Sequence, residues 1–241
     1  LAEVDSTNRV LVEEGVAGVE GAVVLADRQS AGRGRMGRAW FSPPGVNLYL
    51  SVRLQPRVAP ALMPTLSLVV GCAVARTVAV VAPDVPVGLK WPNDLLVQGR
   101  KLGGILCELV TPPAGEPRVV VGVGCNVNLT PVMVPMELAG VATSLAIETG
   151  RHFDRALVAA ELLWQLEQAY ELWCAAGLAP FLPEWQACDP LQGRRIRVEQ
   201  AGQPPLEGAA AGVDEDGLLR IRMEDGGVRT ICAGDVHLAG I

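Results

Sequence analysis

The sequence predicts an α+β fold: a mixed β-sheet with helices packed on it, joined to a small C-terminal β-barrel. Three features point there. Two stretches read as long helices: 64–82, an apolar run introduced by proline, and 155–176, an amphipathic one with matching start and stop residues. Short β-type runs bounded by turn residues fill much of the chain around them. From Gly193 the composition changes to four short β-type runs, separated by Gly-Gln-Pro-Pro, Asp-Glu-Asp-Gly and Glu-Asp-Gly-Gly turns. A chain of 241 residues is long enough for one large and one small domain. The boundary is expected near 190, giving a larger domain over 1–190 and a barrel over 191–241.

The elements follow in order. Asp5-Ser6-Thr7-Asn8 is a cluster of helix N-cap types, so a short helix over 5–14 ending at Gly15 is expected. The same hydroxyl and amide groups can also hold a polar ligand. Residues 21–26 read as a buried strand ending at Asp27-Arg28-Gln29, and 46–52 alternate like a strand. Pro60 and Pro64 introduce the long apolar helix, with proline at a permitted first-turn position. Residues 85–89 form a strand leading into Lys90-Trp91-Pro92-Asn93-Asp94. Residues 95–97 and 101–110 then pair about Gln98-Gly99-Arg100. Pro112-Pro113-Ala114-Gly115 makes a loop, 118–128 another strand, and the Pro- and Met-rich 129–142 is irregular. Thr143 or Ser144 caps a short helix. Asp154 caps the second long one, whose stripe of Val158, Leu162, Leu166, Tyr170 and Trp173 reads as core packing. Gly177 ends it, and 179–188 form one more short helix.

Half the residues are hydrophobic and 19% are charged, as in ordinary globular proteins. The net charge of −6 argues against general nucleic-acid binding. Six cysteines (72, 107, 125, 174, 188, 232) are scattered without a CxxC, and read as reduced core residues of a cytosolic protein. His152 and His237 lack neighbours at metal-ligand spacing, so no zinc site is expected. No signal peptide is visible, and the chain starts at Leu1, so it is either trimmed or begins elsewhere. The apolar run 62–82 approaches membrane-spanning length, but Arg76 inside it favours a buried core helix, with no membrane partner.

Against that acidic background, residues 28–83 hold seven arginines (28, 33, 35, 38, 53, 57, 76) and no Asp or Glu. Three of them lie in Ala31-Gly32-Arg33-Gly34-Arg35-Met36-Gly37-Arg38-Ala39-Trp40. Glycine permits a close approach of backbone to ligand, and arginine offers a fork of donors fitted to carboxylate and phosphate. The stretch reads as a clamp for an anion, mobile when empty. Gly32-x-Gly34-x-x-Gly37 matches the dinucleotide fingerprint literally, but Ala39-Trp40-Phe41-Ser42-Pro43-Pro44 cannot open the required helix, so an NAD site is rejected. No Gly-Lys-Ser/Thr ending follows either, which excludes a P-loop. Lys90-Trp91-Pro92-Asn93-Asp94 gathers an ammonium, an indole, an amide and a carboxylate at a strand end. Lys101 returns to that neighbourhood across the hairpin, with Gly103-Gly104 beside it for close approach.

Taken in order, Asp5-Ser6-Thr7-Asn8, Gln29-Ser30-Ala31-Gly32-Arg33-Gly34-Arg35, Lys90-Trp91-Pro92-Asn93-Asp94, Lys101-Leu102-Gly103-Gly104-Ile105-Leu106 and Gly124-Cys125-Asn126 resemble the biotin protein ligases. The resemblance implies a class II synthetase-like catalytic domain with a C-terminal SH3-like barrel. It implies a ligase that converts biotin and ATP, with Mg²⁺, into biotinyl-5′-AMP, then biotinylates a lysine of a biotin carboxyl carrier protein. No helix-turn-helix precedes Asp5, so the resemblance is to the class without a DNA-binding domain; no DNA partner is expected, and a homodimer stays open. By the same resemblance Ser6, Thr7, Asn8, Gln29, Arg33, Gly34, Arg35, Lys101 and Gly103 take biotin. Arg35, Arg38, Trp40, Lys90, Asn93 and Asn126 take ATP. Arg35, Lys101 and Asp94 carry the chemistry, and no protein residue is assigned to a metal. The competing readings are a lipoate or octanoate ligase of the related fold, and a non-catalytic anion-binding regulatory module.

Overall fold

The computed structural model describes residues 1–13, 19–111 and 117–238; the expected loop at 112–115 and the helix end at Gly15 lie outside them. A two-residue strand β1 (Glu3–Val4) precedes helix α1 (Thr7–Glu13). Two unpaired donors at the helix start are met by side chains. Ser6 N donates to Asp5 Oδ1 at 2.6 Å, and Thr7 N donates to Gln29 Oε1 at 2.9 Å. Strands β2 (Val23–Ala26) and β3 (Arg28–Gln29) precede the arginine–glycine loop, and β4 (Leu48–Leu54) follows it. A tight turn over Pro60–Thr65 delivers α2 (Leu66–Val81). Then come β5 (Gly88–Lys90), β6 (Asp94–Val97), β7 (Arg100–Val110) and β8 (Arg118–Cys125). The turn between β6 and β7 has positive φ at both Gln98 and Gly99, which suits a tight hairpin. Helices α3 (Leu145–Thr149), α4 (Arg155–Ala176) and α5 (Leu182–Cys188) follow, with Ser144 and Asp154 capping the first two.

The main sheet runs β2-β4-β8-β7-β6-β5, and every pair in it is antiparallel. This corrects the expectation of a mixed sheet: among the described residues, parallel pairing between strands is confined to the short β1–β3 ladder. Short turns join β5 to β6 and β6 to β7, and such close connections impose antiparallel pairing. β2 lies at the sheet edge, with Val23 and Leu25 at 40% and 37% exposure, so it is not the buried strand expected. β4 shows how the sheet divides its faces. Leu48, Leu50, Val52 and Leu54 enter the apolar core, while Ser51 and Arg53 on the other face bond to α1 residues. Helices α2 and α4 pack together on the core side. The helical run Pro60–Val81, of which α2 is the greater part, is long and apolar enough to cross a membrane, yet most of it is buried within the protein. Arg76 leaves that core through a bidentate pair with Glu184, Nε to Oε2 at 2.9 Å. Only part of the cysteine expectation holds: Cys72 and Cys125 are buried, but Cys174 and Cys232 are exposed, and all six thiols are free. Burial pushes the Cys107 and Cys125 thiols up to about 12.

The C-terminal sheet comprises β9 (Arg195–Glu199), β10 (Leu206–Val213), β11 (Leu219–Arg222), β12 (Val228–Ile231) and β13 (Asp235–Leu238), in the order β12-β11-β10-β9-β13. The fifth strand was not expected, because four residues alternating Asp-Val-His-Leu carry too little apolar pattern to be read as one. The apolar core runs without a break from α2 and the main sheet through Leu191 into Ile196, Val198 and Ile221. Two contacts fasten the halves. Trp91, at 3% exposure, donates from Nε1 to Gly217 O at 3.0 Å. Gly217 has φ +78, and a Cβ there would lie 3.0 Å from Thr65 Cγ2 and 3.2 Å from Leu68 Cδ1. Trp91→Phe keeps the ring packing but strands the Gly217 carbonyl. It should cost about 1–2 kcal/mol of stability, read from the shift of the urea unfolding midpoint.

Candidate active site

The side chains of interest gather on the sheet face opposite α2 and α4, around a cavity of about 240 Å³. Its floor is made of missing side chains. Gly104 on β7 pairs in register with Gly124 on β8, and Gly122 lies two residues before Gly124. A Cβ on Gly124 would lie 2.5 Å from the Trp40 indole, and one on Gly122 would lie 2.1 Å from Asn8 Oδ1. Both approaches require glycine. The arginine–glycine loop folds over this floor as a narrow hairpin rather than an open segment. Gly34 N donates to Arg38 O at 2.7 Å and Trp40 N to Gly32 O at 2.8 Å, and the reversal uses positive φ at Met36 and Gly37.

Every expected site residue lines the cavity except Gly103. A β-bulge explains the exception. Leu96 pairs with Lys101 but Leu95 pairs with Gly103, so Leu102 is an extra residue on β7. The bulge reverses the alternation. Gly104 faces the cavity beside Lys101, while a Cβ on Gly103 would meet Leu95 Cδ1 and Gly124 O. Of the Gly103-Gly104 pair, it is therefore Gly104 that faces the cavity.

At one end of the cavity lies a chain of hydroxyls and amides. Thr7 Oγ1 is 3.2 Å from Gln29 Oε1, and Gln29 Nε2 donates to Ser42 Oγ at 3.0 Å. Ser42 Oγ donates to Trp40 O at 2.9 Å. Buried Ser51 Oγ is 2.7 Å from Thr7 Oγ1 and 2.6 Å from Asn8 Oδ1. Asn8 Nδ2 donates to Leu106 O and to Glu108 Oε2, at 3.2 and 2.7 Å. Arg33 Nη2 donates to that same Glu108 oxygen at 3.0 Å. Ser6 is buried next to this set.

Cations collect at the other end. Arg35 Nη1 donates to Asn93 Oδ1 at 3.2 Å, and Asn93 Nδ2 is fixed to Ile105 O at 2.8 Å. Lys101 Nζ lies 2.6 Å from Asp94 Oδ1 and 5.4 Å from the Trp40 ring centre. Lys90 pairs in register with Asp94, and burial holds its ammonium below the usual lysine range against the opposing pull of Asp94. Arg38 forms an ion pair with Asp235 of β13, and His237 also reaches the cavity, so the barrel supplies part of the wall. The Trp40 Nε1 donor is buried and meets no acceptor among the described residues. Asn126 also lines the cavity. Its Oδ1 accepts from Asn47, and its Nδ2 is directed at Thr143 O at 2.9 Å and Lys101 O at 3.4 Å. With both amide hydrogens engaged it holds the Lys101 backbone in place, and a lone pair of Oδ1 is what it can offer the cavity. Gly122, Asp235 and His237 line the cavity without having been singled out for it, and Gly124 appeared only within a motif. The glycines had a signal, two bare positions at strand spacing in an otherwise apolar run.

The biotin/lipoate A/B protein ligase family is matched over residues 2–128, and the biotin protein ligase C-terminal domain over 192–238. The chain is 37% identical to a biotin–[acetyl-CoA-carboxylase] ligase of Mycobacterium tuberculosis over 99% of its length and 88% of the relative's. This chain belongs to the biotin protein ligases. It is also 37% identical to the bifunctional ligase/repressor BirA of Escherichia coli, over 99% of this chain and 73% of that one. The fold superposes on a biotin protein ligase from Aquifex aeolicus in complex with biotin and ATP, with a TM-score of 0.87 and 32% identity, covering 99% and 96% of the two chains. The first match in this biotin protein ligase spans the glycine floor, the arginine loop and the Lys90–Lys101 hairpin, and the second spans the barrel. Placing a methyl group on the floor tests its geometry. Gly124→Ala should push the Trp40 indole off the sheet and red-shift the tryptophan emission, and the shift should vanish in a Trp40→Phe background.

Proposed function

We infer that this chain is an ATP-dependent ligase that activates biotin as biotinyl-5′-AMP and transfers the biotinyl group to a lysine of a biotin carboxyl carrier protein. The reading rests on one observation: two cations from separate segments, Arg35 and Lys101, line one cavity and bond the adjacent residues Asn93 and Asp94. In the first step a biotin carboxylate oxygen attacks the α-phosphorus of ATP and pyrophosphate leaves. Two anions must meet there, and fixed positive charge lowers that barrier. Arg35 bridges the carboxylate and the α-phosphate, and Lys101 stabilises charge on the same oxygens. In the second step the carrier amine attacks the acyl carbon and AMP leaves, with Asp94 orienting the amine or accepting its proton.

The hydroxyl–amide end suits the ureido ring, with Ser6, Thr7 and Gln29 as its partners and Arg33 framing that side. Trp40, Arg38 and Lys90 belong to the nucleotide side. Mg²⁺ would accompany the triphosphate and neutralise its charge, held by phosphate oxygens and water. Among the described residues no His, Cys, Asp and Glu group is arranged to hold a metal, and Asp94 and Asp235 already face Lys101 and Arg38. The separate family matches and the change in composition at Gly193 support a division near 190. Six free thiols support a reducing, cytoplasmic compartment.

Incubation with biotin, MgATP and a carrier domain should add one biotinyl mass to the carrier lysine; no gain would overturn the reading. Arg35→Ala should lower biotin-dependent ATP–pyrophosphate exchange at least about 100-fold, with the melting temperature unchanged. The pH dependence follows from Lys90. Its lowered pKa means that charge is lost at a lower pH than for an ordinary lysine. The alkaline limb of kcat/KM for ATP should therefore move to higher pH in Lys90→Arg, which stays charged.

A further inference from the structure

Glu108 lies on β7 at even spacing from Gly104 and Leu106, behind Asn8 and Arg33, which line the hydroxyl–amide end of the cavity. One of its oxygens, Oε2, accepts from both Asn8 Nδ2 and Arg33 Nη2. An ionised carboxylate can only accept, so it dictates which way the Asn8 amide points. With both Asn8 hydrogens turned to Leu106 O and Glu108, Oδ1 must face Ser51. Ser51 has a single proton, and Asn8 Oδ1, 2.6 Å away, is an obligate acceptor that takes it. The 2.7 Å contact between Ser51 and Thr7 then needs the Thr7 proton, because Ser51 has none left to give, so Thr7 Oγ1 donates to Ser51 Oγ. The Thr7 hydroxyl proton therefore points into the protein, and the lone pairs of Oγ1 are what the cavity meets.

We propose that Glu108 is a positioning residue that sets the direction of the Asn8–Ser51–Thr7 hydrogen-bond chain, so that Thr7 Oγ1 is presented to the ligand as an acceptor for a ureido N–H. The inference rests on the biotin reading above and adds the residue that decides the polarity of that subsite. The second contact of Glu108, with Arg33, ties the start of the arginine loop to the same carboxylate. Through Ser42 and Gln29 the other end of the loop, at Trp40 O, joins the same chain. The orientation of the subsite and the seating of the loop thus share one anchor.

The test uses the full chain, with biotin and a biotin methylated on a ureido nitrogen as probes. For the unaltered protein, methylation should weaken binding in calorimetry by at least tenfold. Glu108→Gln keeps the shape but can donate, so Asn8 loses its fixed orientation. Biotin affinity should fall about tenfold and the methylation penalty should shrink. KM for biotin should rise while kcat and KM for ATP stay within twofold. Ser51→Ala breaks the chain without touching Glu108, and adding Glu108→Gln to it should cost biotin binding nothing beyond the loss of the Arg33 contact, less than twofold. Glu108→Gln with normal biotin affinity, or with an undiminished methylation penalty, would overturn the proposal. A failure of the unaltered chain to bind biotin would instead overturn the functional reading on which it rests.

Discussion

The structure depends on a close approach that only bare backbone allows. At Gly122 and Gly124 the sheet surface is low enough for Asn8 and Trp40 to rest directly on it. Asn8 belongs to the first helix and Trp40 to the end of the arginine loop, so one flat patch of β8 sets the height of two otherwise unconnected segments. Every polar contact at the hydroxyl–amide end is measured from that patch. A methyl group there would lift the helix start, the loop or both, and the hydrogen bonds through Ser51 and Ser42 would lose their geometry together.

Charge is handled in the same economical way. The long arginine-rich, carboxylate-free stretch does not form one positive patch. Arg53 turns inward toward the first helix and Arg76 pairs with Glu184 beneath α2, while Arg33, Arg35 and Arg38 stay at the cavity. Their partners come from elsewhere in the chain: Glu108 from β7, Asn93 from the hairpin loop, Asp235 from the barrel. The loop is therefore held by three different elements.

Much of this architecture was legible in the sequence. The helix at 155–176 was readable because its Asp154 cap, Gly177 end and apolar stripe agree with one another, and the one at 66–81 from its long apolar run behind Pro60 and Pro64. The tight β6–β7 hairpin was readable from Gln98-Gly99. The residues that line the cavity were readable as an ordered set of motifs, but not their orientation. Which glycine of the Gly103-Gly104 pair faces the cavity is set by the bulge at Leu102, and nothing in the residue pattern shows it. The partners of the Asn126 amide, Thr143 O and Lys101 O, are backbone groups that likewise leave no mark in that pattern. The contribution of β13 was invisible for a similar reason, since which strand reaches across to Arg38 is decided by tertiary packing.

The Trp91 indole adds a constraint on how such proteins can be recombined. The residue that reaches into the C-terminal sheet is separated by only one proline from Asn93, which holds Arg35. A chimera that grafts a foreign barrel onto this body must reproduce a carbonyl at the Gly217 turn, or the mismatch will be transmitted along three residues to the guanidinium. Inheritance of the two modules as a matched pair is then a mechanical requirement, independent of anything the barrel itself binds.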